Sequence, residues 1–570
     1  MSPIPMQKTF VAFFNHRHHL LSVQDAEGRV VLPTREALKE VLSERSHIQH
    51  TSPEEIAPTR GSSPPFLALG RVFDEKSELP GRWMTFDQFK AESAANPHPD
   101  MPEVLPQLEK NLYRVPYLGQ RDHDYIYRFR TEKQRNRDVY REAGESTNRL
   151  YQSQLCEAIK EVKRANERRS TSPATLDFGP VEYWLPSHFG FCLGVQNAIE
   201  RAYETIVQNP GKRIFMLSEL IHNPFVNRDL AKRGLHYLQT DKGVPCLDPK
   251  SGKPWWDLLH EDDIVIIPAF GATNEDKAKL IARGINFQEN DATCMLVEKV
   301  WKAAKAYGRK GYTVLIHGKS EHEETKATFS NTVPYAPCLV IRDRQQAEVL
   351  AEIMTSDDPL RQQELWQRHF QDLASPGFNP EKDLGKIAVV NQTTLLRNET
   401  LSIIDLLEKR LKVAFGDEEA TRRLHSQSKG DTLCYATQVN QDALEKTLEA
   451  ELDFALVVGG KNSSNTAQLY RMCREKLGEK AFYIQSEDNI LDTNQILHYQ
   501  VPYPKPRDGE PEMAAKSLSL KPSPGKTRIL ITGGASCPDG LIQQVIHRIN
   551  RFYPTENLAC IEDVLKSVEE

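Results

Sequence analysis

Cys192 lies in His188-Phe189-Gly190-Phe191-Cys192-Leu193-Gly194-Val195, a glycine-flanked turn between an apolar run and the amphipathic stretch Val195 to Ile206. A cysteine at the start of a predicted helix faces unpaired N–H groups and the positive end of a dipole, both of which lower a thiol's pKa. That setting suits a metal ligand or a redox thiol. Taken alone, Cys192 reads as one more buried small hydrophobe, so the chemistry depends on what recurs elsewhere. Cys294 closes Asp291-Ala292-Thr293-Cys294 directly before a helical pattern, and Cys434 stands in Asp431-Thr432-Leu433-Cys434-Tyr435-Ala436-Thr437.

Other turns carry acids, imidazoles and hydroxyls: Glu219-Leu220-Ile221-His222-Asn223-Pro224, the stretch from His317 to Thr325, and Asn391-Gln392-Thr393-Thr394. Two Gly-Gly turns follow, Gly459-Gly460-Lys461-Asn462-Ser463-Ser464-Asn465 and Gly533-Gly534-Ala535-Ser536-Cys537-Pro538-Asp539. Glycine lets backbone approach a ligand, and Ser or Asn at a helix start donates hydrogen bonds to phosphate oxygens. A single such residue is ordinarily an N-cap worth about 1 kcal/mol. The first Gly-Gly turn holds more hydrogen-bonding groups than a cap requires, which predicts anion binding. His222, His317 and His322 could pair with phosphate when protonated, although a lone turn histidine is usually just solvated. Glu323 and Glu324 offer a proton donor, or simply acids in a first helical turn.

These turns need elements to hold them, and from about Val181 onward apolar strand-like runs alternate with helical patterns. Predicted strands cover Arg213 to Leu217, Ile264 to Pro268, Thr313 to His317, Lys386 to Asn391, Phe454 to Val458 and Arg528 to Thr532. A helical stripe follows each except Thr313 to His317, which itself follows the stripe Val297 to Tyr307. Strand-turn-helix repetition marks parallel α/β sheets, whose ligands gather beyond the carboxyl ends of the strands.

A chain of 570 residues exceeds what one core supports, so three or four compact units are expected. No apolar run approaches the roughly 20 residues that span a bilayer, and a net charge of -6 argues against general nucleic-acid binding. Nine scattered cysteines without a C-x-x-C fit reduced thiols in the cytoplasm better than a secreted disulfide framework. Residues 1 to 24 lack acids, which leaves organellar import as a minor alternative. Thr51 to Pro65 reads as a linker, while Arg128 to Arg169 turns helical and basic, with Tyr151, Leu155, Ile159 and Val162 on one face.

Taken together, the turns resemble the 4-hydroxy-3-methylbut-2-enyl diphosphate reductase family over about residues 181 to 550. The motifs in the same order are Gly-Phe-Cys-x-Gly-Val, His-Asn-Pro, Asp-Ala-Thr-Cys, His-Glu-Glu-Thr, Gln-Thr-Thr, Cys-Tyr-Ala-Thr, Lys-Asn-Ser-Ser-Asn and Gly-Ala-Ser. The segments Pro268 to Ala272 and His317 to Lys319 look like the plant and cyanobacterial branch. The resemblance implies a trefoil-like arrangement of three α/β domains around a central iron-sulfur cluster, plus an N-terminal extension. Its expected divisions are residues 1–178 for an extension of unknown function, partly helical and partly mobile; 179–294; 295–433 with an insertion at about 340–385; and 434–570.

By the same matching, Cys192, Cys294 and Cys434 should bind one 4Fe-4S cluster. His222, His322, Ser463, Ser464, Asn465 and Ser536 should hold the diphosphate, with Thr437 a further contact. Glu324 should deliver a proton, with Thr393 beside it. The implied reaction is a two-electron reductive dehydroxylation giving isopentenyl and dimethylallyl diphosphate, the last step of the non-mevalonate isoprenoid pathway, with ferredoxin or flavodoxin as electron donor. The basic Arg128 to Arg169 segment is a conceivable dock for such an acidic donor; no nucleic acid or membrane is implied, and no local pattern gives the oligomeric state. Many bacterial members carry a third diphosphate-binding histidine where this chain has Phe270, and His317 is the expected replacement. A quinolinate-synthase-like iron-sulfur enzyme, or a non-catalytic regulatory or interaction protein on the same scaffold, would share parts of this pattern.

Overall fold

A computed structural model describes residues 9–37, 48–50, 66–72, 79, 81–118, 144–165, 172–425, 432, 434–501, 512–518 and 525–569. The expected linker from Thr51 to Pro65 and the basic stretches 128–143 and 166–169 lie outside the described residues. The chain divides into two compact units. One comprises Met1–Arg135, Thr205–Ser218 and Gly234–Ala292; the other comprises Asn136–Glu204, Glu219–Arg233 and Thr293–Glu570.

In the first unit the strand Thr9–Phe14 is buried along its whole length, which requires cover on both faces. Alternation supplies it. Val11 and Phe13 pack with Leu21, Ala68 and Val72. Phe10, Ala12 and Phe14 point the other way, into a core shared with Phe86, Phe89, Val104 and Leu108 and with Phe215, Leu217, Val265, Leu280 and Phe287. The parallel sheet Leu235–Tyr237, Ile214–Met216, Ile264–Ile266 has strands of only three residues each. Such a sheet buries little by itself, and the N-terminal residues complete its core. The described residues between 9 and 118 are therefore integral to this unit.

In the second unit the elements that carry the site are α1 (Glu145–Tyr151), α2 (Gln154–Ala165), β1 (Ala174–Asp177), β2 (Val181–Leu185) and α3, which begins here within Leu193–Gln208. Then come α4 (Pro224–Lys232), α5 (Met295–Arg309), β3 (Thr313–His317), α6 (Glu323–Thr332), β4 (Cys338–Ile341) and β5 (Ile387–Asn391). The series ends with α7 (Arg397–Phe415), α8 (Tyr435–Thr447), β6 (Phe454–Val458), α9 (Ser464–Leu477), β7 (Ala481–Ile484), β8 (Thr527–Gly533) and α10 (Asp539–Asn550). One sheet runs β4-β3-β5, all parallel; another runs β7-β6-β8-β2-β1, parallel except for the β1–β2 pair.

Three features were hidden from sequence patterning. β2 pairs with β8, near the far end of the chain, although its sequence neighbour Ile214–Met216 belongs to a different sheet. The stretch at about 340–385 supplies β4, and Leu350, Leu365, Trp366 and Phe370 join the core under β3 and β5. The basic segment breaks into α1 and α2 at Ser153, whose hydroxyl accepts from the Cys156 amide at 3.0 Å and donates to Gln543 Oε1 at 2.7 Å. Leu155 and Ile159 are buried as the helical face requires. α1 meets α10 closely enough that a Cβ on Gly540 would fall 2.0 Å from the Arg149 carbonyl oxygen. Among the described residues no helix is long and apolar enough to cross a membrane.

Candidate active site

Each of the three candidate cysteines begins a helix. Cys294 and Cys434 are the N-caps of α5 and α8, and Cys192 immediately precedes α3. Their carbonyls accept the first helical bonds, from Gln196 at 3.0 Å, Glu298 at 3.1 Å and Gln438 at 2.9 Å. Their sulfurs receive amides of the first turn: Gly194 and Val195 for Cys192, Leu296 and Val297 for Cys294, Ala436 and Thr437 for Cys434, with the Thr437 hydroxyl added there. Those donors favour thiolates, yet burial outweighs them. It pushes Cys192 up to about 11 and raises Cys294 and Cys434 as well, with the charges of neighbouring cysteines adding to the rise at Cys192 and Cys294, and that of Glu324 at Cys434.

The thiols converge. A Cβ on Gly194 would lie 2.4 Å from Cys294 Sγ and 4.0 Å from Cys192 Sγ, so only glycine fits there. Three buried thiols gathered from three helix starts become thiolates only against a polycationic partner, which is the chemistry an iron-sulfur cluster supplies to its ligands. Among the described residues no three His, Cys, Asp or Glu side chains close around a single-ion position. A cluster spreads its ligands wider than one ion does. The Cys192 turn is fixed from behind: Gly190 adopts φ +70°, its amide donates to the Gly533 carbonyl at 3.0 Å, and the Cys192 amide donates to the Ala535 carbonyl at 3.3 Å.

Beside the thiols sits an acid. Glu324, 1% exposed, accepts from the Thr393 amide at Oε1 (2.6 Å) and from the Thr393 hydroxyl at Oε2 (2.9 Å). Burial pushes its pKa up to about 7, against the opposing pull of Thr393 and of His222. His322 caps α6 and accepts the Glu324 amide at Nδ1, 3.2 Å. Its ring meets that of His222 edge to face, centroids 5.0 Å apart. Burial, with His222 and Lys319 nearby, holds His322 well below the ordinary imidazole value.

The Gly-Gly turns close the other side. Ser463, the N-cap of α9, accepts from the Thr466 hydroxyl at 2.9 Å and from Ser536 Oγ at 3.1 Å. Ser536 lies 3.5 Å from the His222 carbonyl oxygen, and its own carbonyl accepts from Asn223 Nδ2 at 3.0 Å. Asn465 accepts the Ala535 amide at 2.8 Å, while its buried Nδ2 has no hydrogen-bond acceptor among the described residues. Ser464 is buried on the same helical turn. Side chains on Gly460 or Gly534 would strike the His222 carbonyl oxygen or Thr466 Oγ1, at 2.3 and 2.0 Å. A buried donor without an acceptor, beside two hydroxyls at a helix N-terminus, matches an anionic group.

A model of the family described as "LytB protein" matches residues 184–550. The chain belongs to the LytB family. Its relatives include proteins named 4-hydroxy-3-methylbut-2-enyl diphosphate reductase from Picosynechococcus sp., 36% identical over 70% of this chain and 89% of the relative, and from Prochlorococcus marinus, 34% identical over 66% and 87%. A solved structure of (E)-4-hydroxy-3-methyl-but-2-enyl diphosphate reductase aligns with a TM-score of 0.38 (22% identity, 64% of this chain, 98% of the other), and one of E-1-hydroxy-2-methyl-but-2-enyl-4-diphosphate reductase from Plasmodium falciparum with 0.42 (19%, 69% and 98%).

Within this LytB chain the structure ties His222, Ser463, Asn465 and Ser536 into one hydrogen-bonded patch and His322, Glu324 and Thr393 into another, joined at the two imidazoles. Thr437 links to Cys434. His317 goes elsewhere, which corrects the expectation that it replaces a third anion-binding histidine. At the end of β3 it is 1% exposed, its Nδ1 lies 2.8 Å from Thr400 Oγ1 of α7, and burial lowers its pKa to about 4. Its ring is engaged by the Thr400 hydroxyl and by the Arg342 backbone. Sequence reading passed over Thr466, and placed Asn223 and Gln392 in functional turns without giving either a role. Gln392 Oε1 accepts the Lys319 amide and the Thr325 hydroxyl, both at 3.2 Å, and so holds the loop before α6. Thr466 stands three residues after an N-cap serine, a spacing that does mark a capping partner.

Proposed function

We propose that this LytB protein reduces 4-hydroxy-3-methylbut-2-enyl diphosphate to isopentenyl and dimethylallyl diphosphate, the last step of the non-mevalonate pathway. The observation that carries the reading is the position of Glu324: its charge acts on Cys434, it is bonded to Thr393, and it adjoins the His222–His322 pair. One carboxyl thus bridges the thiol set and the anion patch.

Cys192, Cys294 and Cys434 would hold one 4Fe-4S cluster, which with three protein ligands supplies an open iron as Lewis acid toward an alcohol and passes electrons singly. His222, Ser463, Ser464, Asn465 and Ser536, with His322, bind the diphosphate, and Thr437 borders the same space. Neutral His322 donates rather than accepts at Nε2, because Nδ1 takes the Glu324 amide. Glu324, protonated below about pH 7, gives its proton to the departing hydroxyl, which leaves as water. Two electrons and two protons enter overall, and the second proton goes to carbon. Thr393 steadies the carboxylate that remains. Ferredoxin or flavodoxin is the electron donor.

Anaerobically purified full-length protein is expected to be brown, to contain iron and sulfide, and to turn over the diphosphate with a chemical reductant. Cys294→Ser loses the colour. A colourless wild-type protein without iron under those conditions overturns the reading.

A further inference from the structure

The Cys192 turn is held by residues that precede the family-matched region. Lys160 of α2 makes an ion pair with Asp539, at the first position of α10, with Nζ 2.8 Å from Oδ1 and 2.7 Å from Oδ2. Both side chains are largely buried, 19% and 14% exposed. The pair lies directly beneath the turn. A Cβ on Gly190 would meet Asp539 Oδ1 at 2.5 Å, the Cys537 carbonyl oxygen at 3.4 Å and Lys160 Nζ at 3.5 Å. Lys160 Nζ also sits 5.0 Å from the centroid of Phe189. Two residues on, the Phe191 ring stands 6.1 Å from that of Tyr151 in α1.

We infer that the Lys160–Asp539 ion pair is a positioning device that fixes the Gly190–Cys192 turn, so that α2 of the N-terminal segment sets the aim of one cluster ligand. The inference rests on the reading of Cys192 as that ligand. The physical reason is the left-handed conformation of Gly190 (φ +70°): it brings bare backbone flush against the pair, with no side chain to wedge the turn in place. The two hydrogen bonds to the 533–535 backbone anchor one edge only. The ion pair supplies the floor, and because it is poor in solvent its geometry is not loosened by exchange with water.

The test uses full-length, cluster-free protein under reducing conditions, pulsed with iodoacetamide and peptide-mapped at Cys192, Cys294 and Cys434. The double variant Lys160→Met/Asp539→Asn removes both charges without stranding either. It is expected to raise the alkylation rate of Cys192 severalfold relative to Cys294 and Cys434, while Lys160→Arg keeps the wild-type ratio. After reconstitution, the double variant is expected to release iron to a chelator severalfold faster than wild type. An unchanged Cys192 ratio overturns the inference, and so does a uniform rise at all three cysteines, which would signal general loosening. Failure of wild-type protein to bind iron would overturn the cluster reading instead, and the alkylation ratio would still decide the role of the pair.

Discussion

Thr393 gives Glu324 two hydrogen bonds from one residue, amide to Oε1 and hydroxyl to Oε2. Both favour the carboxylate, so Thr393 restrains the rise in pKa that burial imposes. With the acid form active, kcat should be level below about pH 7 and fall above it. Thr393→Val removes the hydroxyl donor and should move that limb to higher pH, as a kcat profile will show. Glu324→Gln should lower kcat by about 10²–10⁴-fold and leave substrate affinity nearly unchanged.

The same acid couples pH to stability. Its folded pKa of about 7 exceeds the ordinary 4.5, so the folded chain holds the extra proton between those values. Stability is fully present below 4.5 and is lost as pH rises to about 7. In cluster-free protein the melting temperature of Glu324→Gln should gain on wild type through that window and keep a constant lead above it.

Gly194→Ala is a sharp test of the ligand set. Alanine ordinarily stabilises a helical site by about 1 kcal/mol over glycine, yet here the new methyl would sit 2.4 Å from Cys294 Sγ. Iron content after reconstitution should collapse while the circular dichroism spectrum stays that of the wild type.

His317→Ala and His322→Ala should part company. Loss of the His317–Thr400 bond and the buried ring should cost stability, about 1–3 kcal/mol, with an unchanged KM. His322→Ala should raise KM for the diphosphate. Urea titration and initial rates on the same preparations separate the two.

Removing residues 1–118 should not leave a working catalytic body. Phe10, Phe14, Phe86 and Val104 share a core with Phe215, Val265 and Phe287. Exposing that surface predicts insoluble or aggregated protein, read by size-exclusion chromatography. Deletion through residue 178 would also strip β1 from β2 and Lys160 from Asp539. Such a truncation cannot isolate a docking function for the extension.

Much of the parallel architecture was legible in sequence. Thr313–His317 and Phe454–Val458 are continuous apolar runs because helices cover both faces of their sheets, and the structure has them at the same bounds. β4 was missed because Cys-Leu-Val-Ile straddles the start of a stretch that the resemblance marked as an insertion. The convergence of Cys192 on Cys294 was beyond any spacing rule, since it is made by packing two helix starts around Gly194. Cys537 is a caution in the other direction. It stands in a Gly-Gly turn before a helix, much as Cys192 stands in its turn, yet it is fully buried, whereas Cys192, Cys294 and Cys434 keep partial exposure. His317 fails for a similar reason, since its place at a strand end says nothing about which neighbour claims its ring.

The pairing of β2 with β8 governs the order in which the molecule can be built. During synthesis from the N-terminus, Cys192 emerges before either of its partner thiols, but the backbone that anchors its turn, Gly533 and Ala535, emerges after all three cysteines. The earliest ligand made is therefore placed only after both of its partners have been made. Until β8 has been made, a nascent chain carries that thiol with no fixed address.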